Sequence, residues 1–173
     1  MQTLLRIACV LLLGLPQALA QPAPQIETLR VTRTADDGEG SLRWAIERNN
    51  AAPGRFRIEI DPEGPGPHVI KPASLLPAIK GPVRIEGMPW KRTGAFVALD
   101  GSGFIADKGQ RTCDGATAGQ YGANVRTTTN PGLAAVDTAG VEIAGLEVRG
   151  FCIGVLIHRA SGCLLYTSPS PRD

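Results

Sequence analysis

The chain has 173 residues, of which 43% are hydrophobic and 5% aromatic, and its 18 Lys and Arg nearly balance its 16 Asp and Glu. This length suits one ordinary domain, and the scattered charge excludes the basic patch of a nucleic-acid-binding protein and the acidic run of an interaction tail. The content of 21 Gly and 14 Pro is higher than that of a typical helical bundle and lower than that of a collagen or a low-complexity segment. Composition therefore favours a turn-rich β protein.

Residues 1–20 have the pattern of a secretory signal peptide. Arg6 precedes a short apolar run at residues 7–15, and Ala18 and Ala20 form a small-residue cleavage signal. The run is about half of the roughly 20 residues that span a bilayer. We expect export to the periplasm, the extracellular space or the cell surface, with no transmembrane segment in the mature chain.

A leader at residues 21–28 merges into an alternating strand pattern at residues 26–32, followed by an acidic turn. The spacing of the apolar residues then changes from the two-residue period of a strand to that of a helix. Ser41 can cap a helix over residues 41–52 whose apolar positions are Leu42, Ala45 and Ile46. These three side chains are expected to cover the open end of the fold, where unpaired strand edges would otherwise aggregate.

Downstream of the helix, every apolar cluster is short and ends at Gly or Pro, which is typical of strands. The predicted strands are residues 56–60, 68–70, 83–85, 96–99, 133–136, 141–143, 146–148 and 154–157. Residues 83–87 and 141–145 share the form V-x-I-x-G. Short strands joined by Gly-containing bends, in a unit of about 20 to 25 residues, indicate a solenoid.

Residues 31–46 (VTRTADDGEGSLRWAI) resemble the N-terminal signature of secreted bacterial right-handed parallel β-helix repeat proteins, of the pectate-lyase-like superfamily. The LPAI turn at residues 76–79 and the LDGSG strand exit at residues 99–103 match in the same order. The resemblance implies an all-β fold, a right-handed parallel β-helix (solenoid) with an N-terminal capping strand and helix. Residues 29–162 would form the cap and the first coils of an incomplete β-helix.

Residues 163–173 (CLLYTSPSPRD) resemble the translation of a sequencing adapter, and we interpret them as a non-native tail. Without this tail and the signal peptide, two cysteines remain, Cys113 and Cys152. In an exported chain they could form a disulfide, or each could be unpaired or have a partner elsewhere.

The acidic turn residues Asp36, Asp37 and Glu39 offer oxygen ligands that Ca²⁺ could use, but a solvated turn before a helix explains them better. His68 and His158 lack metal-ligand spacing. We therefore expect no metal and no cofactor, with Ca²⁺ as the alternative.

Four residues could face a ligand. Glu142, Glu147 and Arg149 alternate with the buried positions of their strands, and Trp90 in a predicted loop could stack on a sugar ring. Exposed charges on strands are more often a solvated surface, and a loop Trp more often packs on its own turn. No catalytic residue can be assigned from these patterns.

The sequence favours an exported parallel β-helix protein that binds or processes an extracellular or envelope polysaccharide. If enzymatic, it would be a polysaccharide lyase or glycoside hydrolase whose active site lies beyond these residues. The alternative is a structural or adhesive surface protein resembling an autotransporter passenger. Neither reading involves nucleic acid, and the oligomeric state stays open.

Overall fold

A computed structural model describes residues 25–105 and 130–166. This part of the chain contains ten strands and three helices. In chain order they are β1 (Glu27–Val31), α1 (Leu42–Ala51), β2 (Phe56–Ile60), β3 (Val69–Ile70), β4 (Val83–Gly87), α2 (Met88–Thr93), β5 (Val97–Asp100), α3 (Ser102–Ile105), β6 (Pro131–Val136), β7 (Val141–Ala144), β8 (Leu146–Arg149), β9 (Ile153–His158) and β10 (Leu164–Tyr166).

The strands form three sheets, and all the described strand pairs are parallel. The first sheet has the order β1-β2-β4-β7-β10, the second β3-β5-β8 and the third β6-β9. Parallel neighbours need crossover connections, so strands that touch within a sheet are distant in sequence. Strands β1 and β2 both belong to the first sheet, and β3, β4 and β5 then alternate between the second and the first sheet. From β6 onward the chain passes through the third, first and second sheets in turn, so that β9 returns to the third sheet and β10 to the first.

One hydrophobic core is shared by all three sheets and α1. Ile58 and Ile85 enter it from the first sheet, Leu99 from the second and Leu133 from the third, each at most 1% exposed. Alternate residues of a strand point to opposite faces, so the polar residues between these core positions lie on the outer faces.

Helix α1 begins after Ser41, whose side-chain oxygen accepts a hydrogen bond from the backbone N–H of Trp44 at 3.2 Å. Its buried side is formed by Leu42, Ala45 and Ile46, each at most 1% exposed, and these join the core. Asn49 is equally buried, and its amide group has no hydrogen-bond partner among the described atoms.

The predicted fold class is corrected: parallel sheets are combined with three helices, so the described chain is not all-β, and we do not retain the right-handed β-helix (solenoid) assignment.

Helix α2 occupies residues that sequence patterns placed in a loop. It has Pro89 in its first turn and ends at Gly94, which is left-handed with φ of 74° and donates its N–H to the carbonyl of Trp90. Six residues are too few for apolar periodicity to reveal this helix.

Two segments at the predicted boundaries contribute strands. Strand β1 begins at Glu27, inside the predicted leader, and pairs with β2. Strand β10, inside the predicted non-native tail, pairs with β7 and is exposed at all three residues. The signal peptide and residues 21–24 of the leader lie outside the described residues, and the proposed origin of the tail stays a prediction.

Candidate functional site

Charged side chains gather on the outer face of the first sheet. In the parallel register, Arg57 of β2 lies beside Arg84 of β4, and Arg84 lies beside Glu142 of β7. Two residues further along, Glu59 lies beside Glu86. Neighbouring strands are about 4.8 Å apart, so these residues form a charged array on one face.

Arg84 is the centre of this charged array. It donates hydrogen bonds to Glu142 at 3.1 Å and to Glu86 at 3.3 Å. The Glu86 side chain is only 3% exposed, so its negative charge needs a partner of opposite charge such as Arg84. The hydrogen bond to Glu86 and that residue's negative charge, with a smaller contribution from Glu142, raise the pKa of Arg84 above its usual value. Arg84 therefore stays charged and holds both carboxylates in position.

Among the described residues, Arg57 has fewer charged partners than Arg84. Its Nη2 atom lies 3.1 Å from Glu59 Oε1, and its side chain is 46% exposed while that of Glu59 is 12% exposed. A guanidinium has five N–H donors in a planar fork. Among the described residues this ion pair engages one nitrogen, so Arg57 retains N–H donors that a ligand could use.

A cleft of about 420 Å³ opens beside the charged array, where β2, β4 and β7 begin. Arg57, Arg84 and Glu142 form its polar wall. The remaining wall is apolar or glycine, and its residues are Ile26, Gly54, Phe56, Pro82, Val83 and Gly140. Ligand sites of small molecules have this size and this combination of apolar walls with few polar groups.

The cleft can support two kinds of chemistry. The guanidinium of Arg57 can bind a carboxylate through charge-assisted hydrogen bonds. The carboxylate of Glu142, about one-third exposed, can accept a proton from a bound molecule. A cation and a possible proton acceptor therefore line one small cavity that also has an apolar wall.

A second charged group lies on the outer face of the second sheet. The Nε and Nη1 atoms of Arg149 donate to Asp100 and Glu147, at 3.1 Å and 3.0 Å. Hydrogen bonds from Ser102, and then from Arg149, lower the pKa of Asp100 to about 2. The predicted ligand-facing residues Glu147 and Arg149 thus pair with each other, away from Glu142, which lies in the cleft.

Trp90 does not join either charged group. It is half-buried in α2 and packs on Phe96, with ring centroids 6.1 Å apart and planes inclined at 33°. Phe96 lines another cavity of about 550 Å³, together with His68 and Arg92. Arg92 is paired with Asp61 through both carboxylate oxygens.

The cysteine prediction is tested only in part. Cys152 is disulfide-bonded and Cys163 is a free thiol. The predicted partner, Cys113, lies outside the described residues, so the pairing stays a prediction.

The acidic turn is held by neighbouring arginines. Asp36 accepts a hydrogen bond from Arg43 at 2.8 Å, and the backbone carbonyl of Glu39 accepts one from Arg33. Within residues 25–105 and 130–166, no three His, Cys, Asp or Glu side chains are close enough to hold a metal ion. The same residues include no helix long and apolar enough to cross a membrane.

Sequence reasoning found Glu142 and missed Arg57 and Arg84. A local signal was present, since both arginines occupy outward positions in alternating strands. Their proximity to Glu142 was not readable, because Arg84 and Glu142 are 58 residues apart and meet only through the register of β4 and β7.

No protein-family model matches the chain. Over 141 residues it is 50% identical to the 3-dehydroshikimate dehydratase of Acinetobacter baylyi. The chain is similar to a dehydratase. This match covers 80% of the chain and 29% of that protein, so the chain spans less than a third of its relative's length.

The similarity overturns the family and the function inferred from sequence motifs. A dehydratase relative contradicts the pectate-lyase-like assignment, the associated fold class, and the polysaccharide-binding, adhesive and structural roles. The motifs that suggested them are strand alternations and glycine bends, which report backbone geometry and carry no information on chemistry. The hypothesis that Trp90 stacks on a sugar ring depended on a polysaccharide ligand, so it loses its support together with that function.

Proposed function

We propose that this chain forms the corresponding part of a 3-dehydroshikimate dehydratase. The 50% identity over 141 residues carries the proposal. The cleft on the first sheet is compatible with it, because 3-dehydroshikimate is a small ring carboxylate and the cleft combines arginines, a carboxylate and an apolar wall.

The reaction is an elimination that needs no oxidant. A base removes a proton from a ring carbon, and the hydroxyl group on the neighbouring carbon leaves with a proton as water. Enolisation of the ring ketone then gives 3,4-dihydroxybenzoate, so substrate minus one water balances the product. Such a reaction requires a proton acceptor and a proton donor held close to the ring.

Glu142 is the residue to which we assign proton removal. It is the carboxylate in the described lining of the cleft, and Arg84 fixes its orientation through the hydrogen bond at 3.1 Å. Replacement by Gln keeps the shape and removes the basic oxygen. A positioned general base contributes roughly 10²- to 10⁴-fold to rate, so Glu142→Gln is expected to lower kcat by at least about a hundredfold.

A segment exchange tests the proposal. The aligned 141 residues of the Acinetobacter baylyi dehydratase are replaced by those of this chain, and formation of 3,4-dihydroxybenzoate from 3-dehydroshikimate is followed by liquid chromatography. We expect the chimera to be active, Glu142→Gln to inactivate it and Glu147→Gln to leave it active. Glu147→Gln is the matched control, because it removes the same charge outside the cleft.

A chimera that melts cooperatively like the relative but forms no product would contradict the proposal. Equal activity of the two glutamate variants would contradict only the role assigned to Glu142.

We also propose that the protein is exported, a proposal supported by the signal-peptide pattern of residues 1–20.

A further inference from the structure

The first sheet places two arginines side by side at the cleft. Arg57 and Arg84 are direct neighbours in the register of β2 and β4, and their side chains are 46% and 42% exposed. Like charges directly opposite each other on neighbouring strands are destabilising. Ion pairs with Glu59, Glu86 and Glu142 already offset this repulsion, so an anion would bind through the N–H donors that these carboxylates leave unused.

The two arginines differ in how many of their guanidinium nitrogens contact carboxylates. Arg84 is committed to Glu86 and Glu142 through two nitrogens. In the described part of the chain, the ion pair of Arg57 with Glu59 engages Nη2. Arg57 is therefore the arginine with donors available to a carboxylate, and Arg84 acts through its charge and through the carboxylates it holds.

The other walls of the cleft suit the ring of a small acid. Phe56 and Val83 line the cleft and are also core residues, 8% and 4% exposed, so core packing holds their side chains in place. Glu142 stands at the same cleft and repels negative charge. This arrangement favours a molecule with one carboxylate on an otherwise uncharged ring over a dicarboxylate or a phosphate ester.

We propose that this cleft binds small ring monocarboxylates, with the carboxylate on Arg57 and the ring against Phe56. The inference rests on the proposed function in one respect: the natural ligand would be 3-dehydroshikimate, held so that its ring faces Glu142. Binding itself is independent of turnover and can be measured without it.

Calorimetric titration of the purified full chain tests the binding site. The probes are 3,4-dihydroxybenzoate and catechol, which share the hydroxylated ring and differ in the carboxylate. We expect the carboxylate to increase affinity by about tenfold, the effect of a charge-assisted hydrogen-bonding pair. Arg57→Ala should reduce the affinity for 3,4-dihydroxybenzoate to that for catechol, and Arg57→Lys should retain part of the difference.

Arg55→Ala is the matched control. Arg55 lies two residues earlier, is 63% exposed and pairs loosely with Glu27 at 3.7 Å, and it does not line the cleft. We expect this variant to bind both probes like the parent. Glu142→Gln should bind 3,4-dihydroxybenzoate more tightly, because a repulsive charge is removed. Thermal melting of each variant shows that the fold is retained.

Equal affinity for the two probes in the parent, absence of binding, or an unchanged preference in Arg57→Ala would overturn this inference. An active chimera whose KM and kcat do not respond to Arg57→Ala would overturn it and leave the proposed function intact. Conversely, binding that depends on Arg57 in an inactive chimera would support the site and contradict the dehydratase proposal.

Discussion

At the scale of single residues, position in the sheet decides the behaviour of each carboxylate. Glu86 is nearly inaccessible and depends on Arg84, whereas Glu147 on the second sheet is half exposed and contributes little through its ion pair. Hydrogen bonds from Ser102 and Arg149 favour the charged form of Asp100 and lower its pKa to about 2.

Asp100 makes stability depend on acid pH. Its pKa falls from 3.8 to about 2 on folding, so its contribution is complete above pH 3.8 and disappears as pH falls through 2. Asp100→Asn is expected to reduce the free energy of unfolding at pH 7 by about 1–2 kcal/mol, and the difference from the parent should shrink between pH 4 and pH 2. Urea unfolding at a series of pH values measures both effects.

Asp37→Asn is the control for Asp100→Asn. Asp37 is an exposed residue of the acidic turn, and its replacement should leave the unfolding free energy within about 0.5 kcal/mol of the parent at every pH. A constant difference between Asp100→Asn and the parent from pH 7 to pH 2 would contradict the role assigned to Asp100.

At the scale of elements, the close stacking of strands depends on glycines where strands end. Gly87 ends β4 beside Gly145, which links β7 to β8. A Cβ atom on Gly87 would lie 2.1 Å from the backbone oxygen of Gly145, a separation that real Cβ atoms essentially never show. The two strand ends can approach only because neither has a side chain.

Gly87→Ala is therefore expected to lower the free energy of unfolding by about 1–3 kcal/mol through overpacking against backbone. Gly103→Ala in α3 is the matched control, because a Cβ atom there would meet no atom of the described residues within 4 Å. The control should be neutral or stabilise slightly, since Ala favours the helix. Chemical denaturation of both variants makes the comparison, and equal stabilities would show that the strand ends can separate at little cost.

At the scale of the whole molecule, burial is uneven along the first sheet. Strand β2 lies between β1 and β4 and has three residues that are at most 8% exposed, whereas β10 at the edge is exposed throughout. Local opening is governed by such differences in burial and hydrogen bonding. The edge of the first sheet at β10 is expected to open long before its centre.

Native-state hydrogen exchange resolved by mass spectrometry tests this difference. Backbone amides of β2 and β4 should exchange at least about a hundred times more slowly than those of β10. The amides of β1, which lies at the opposite edge of the same sheet, should be intermediate because β1 carries the buried residues Leu29 and Val31. Uniform protection across the sheet would mean that it opens as one unit.

The sequence by itself determined the local conformation of most segments. The two-residue alternation in β2, β4 and β7, and the Ser41 cap with the apolar positions of α1, could be read directly because a local period reports which face is buried. Helix α2 was missed because one and a half turns leave too little periodicity.

Only the tertiary structure decided which charged residues meet. Arg57, Arg84 and Glu142 come from three strands, and their adjacency follows from the parallel register of β2, β4 and β7. The register depends on the length and path of the intervening crossovers and on the packing of all three sheets around one core. Such long-range geometry leaves no local pattern, so the cleft became visible only when the strands were in place.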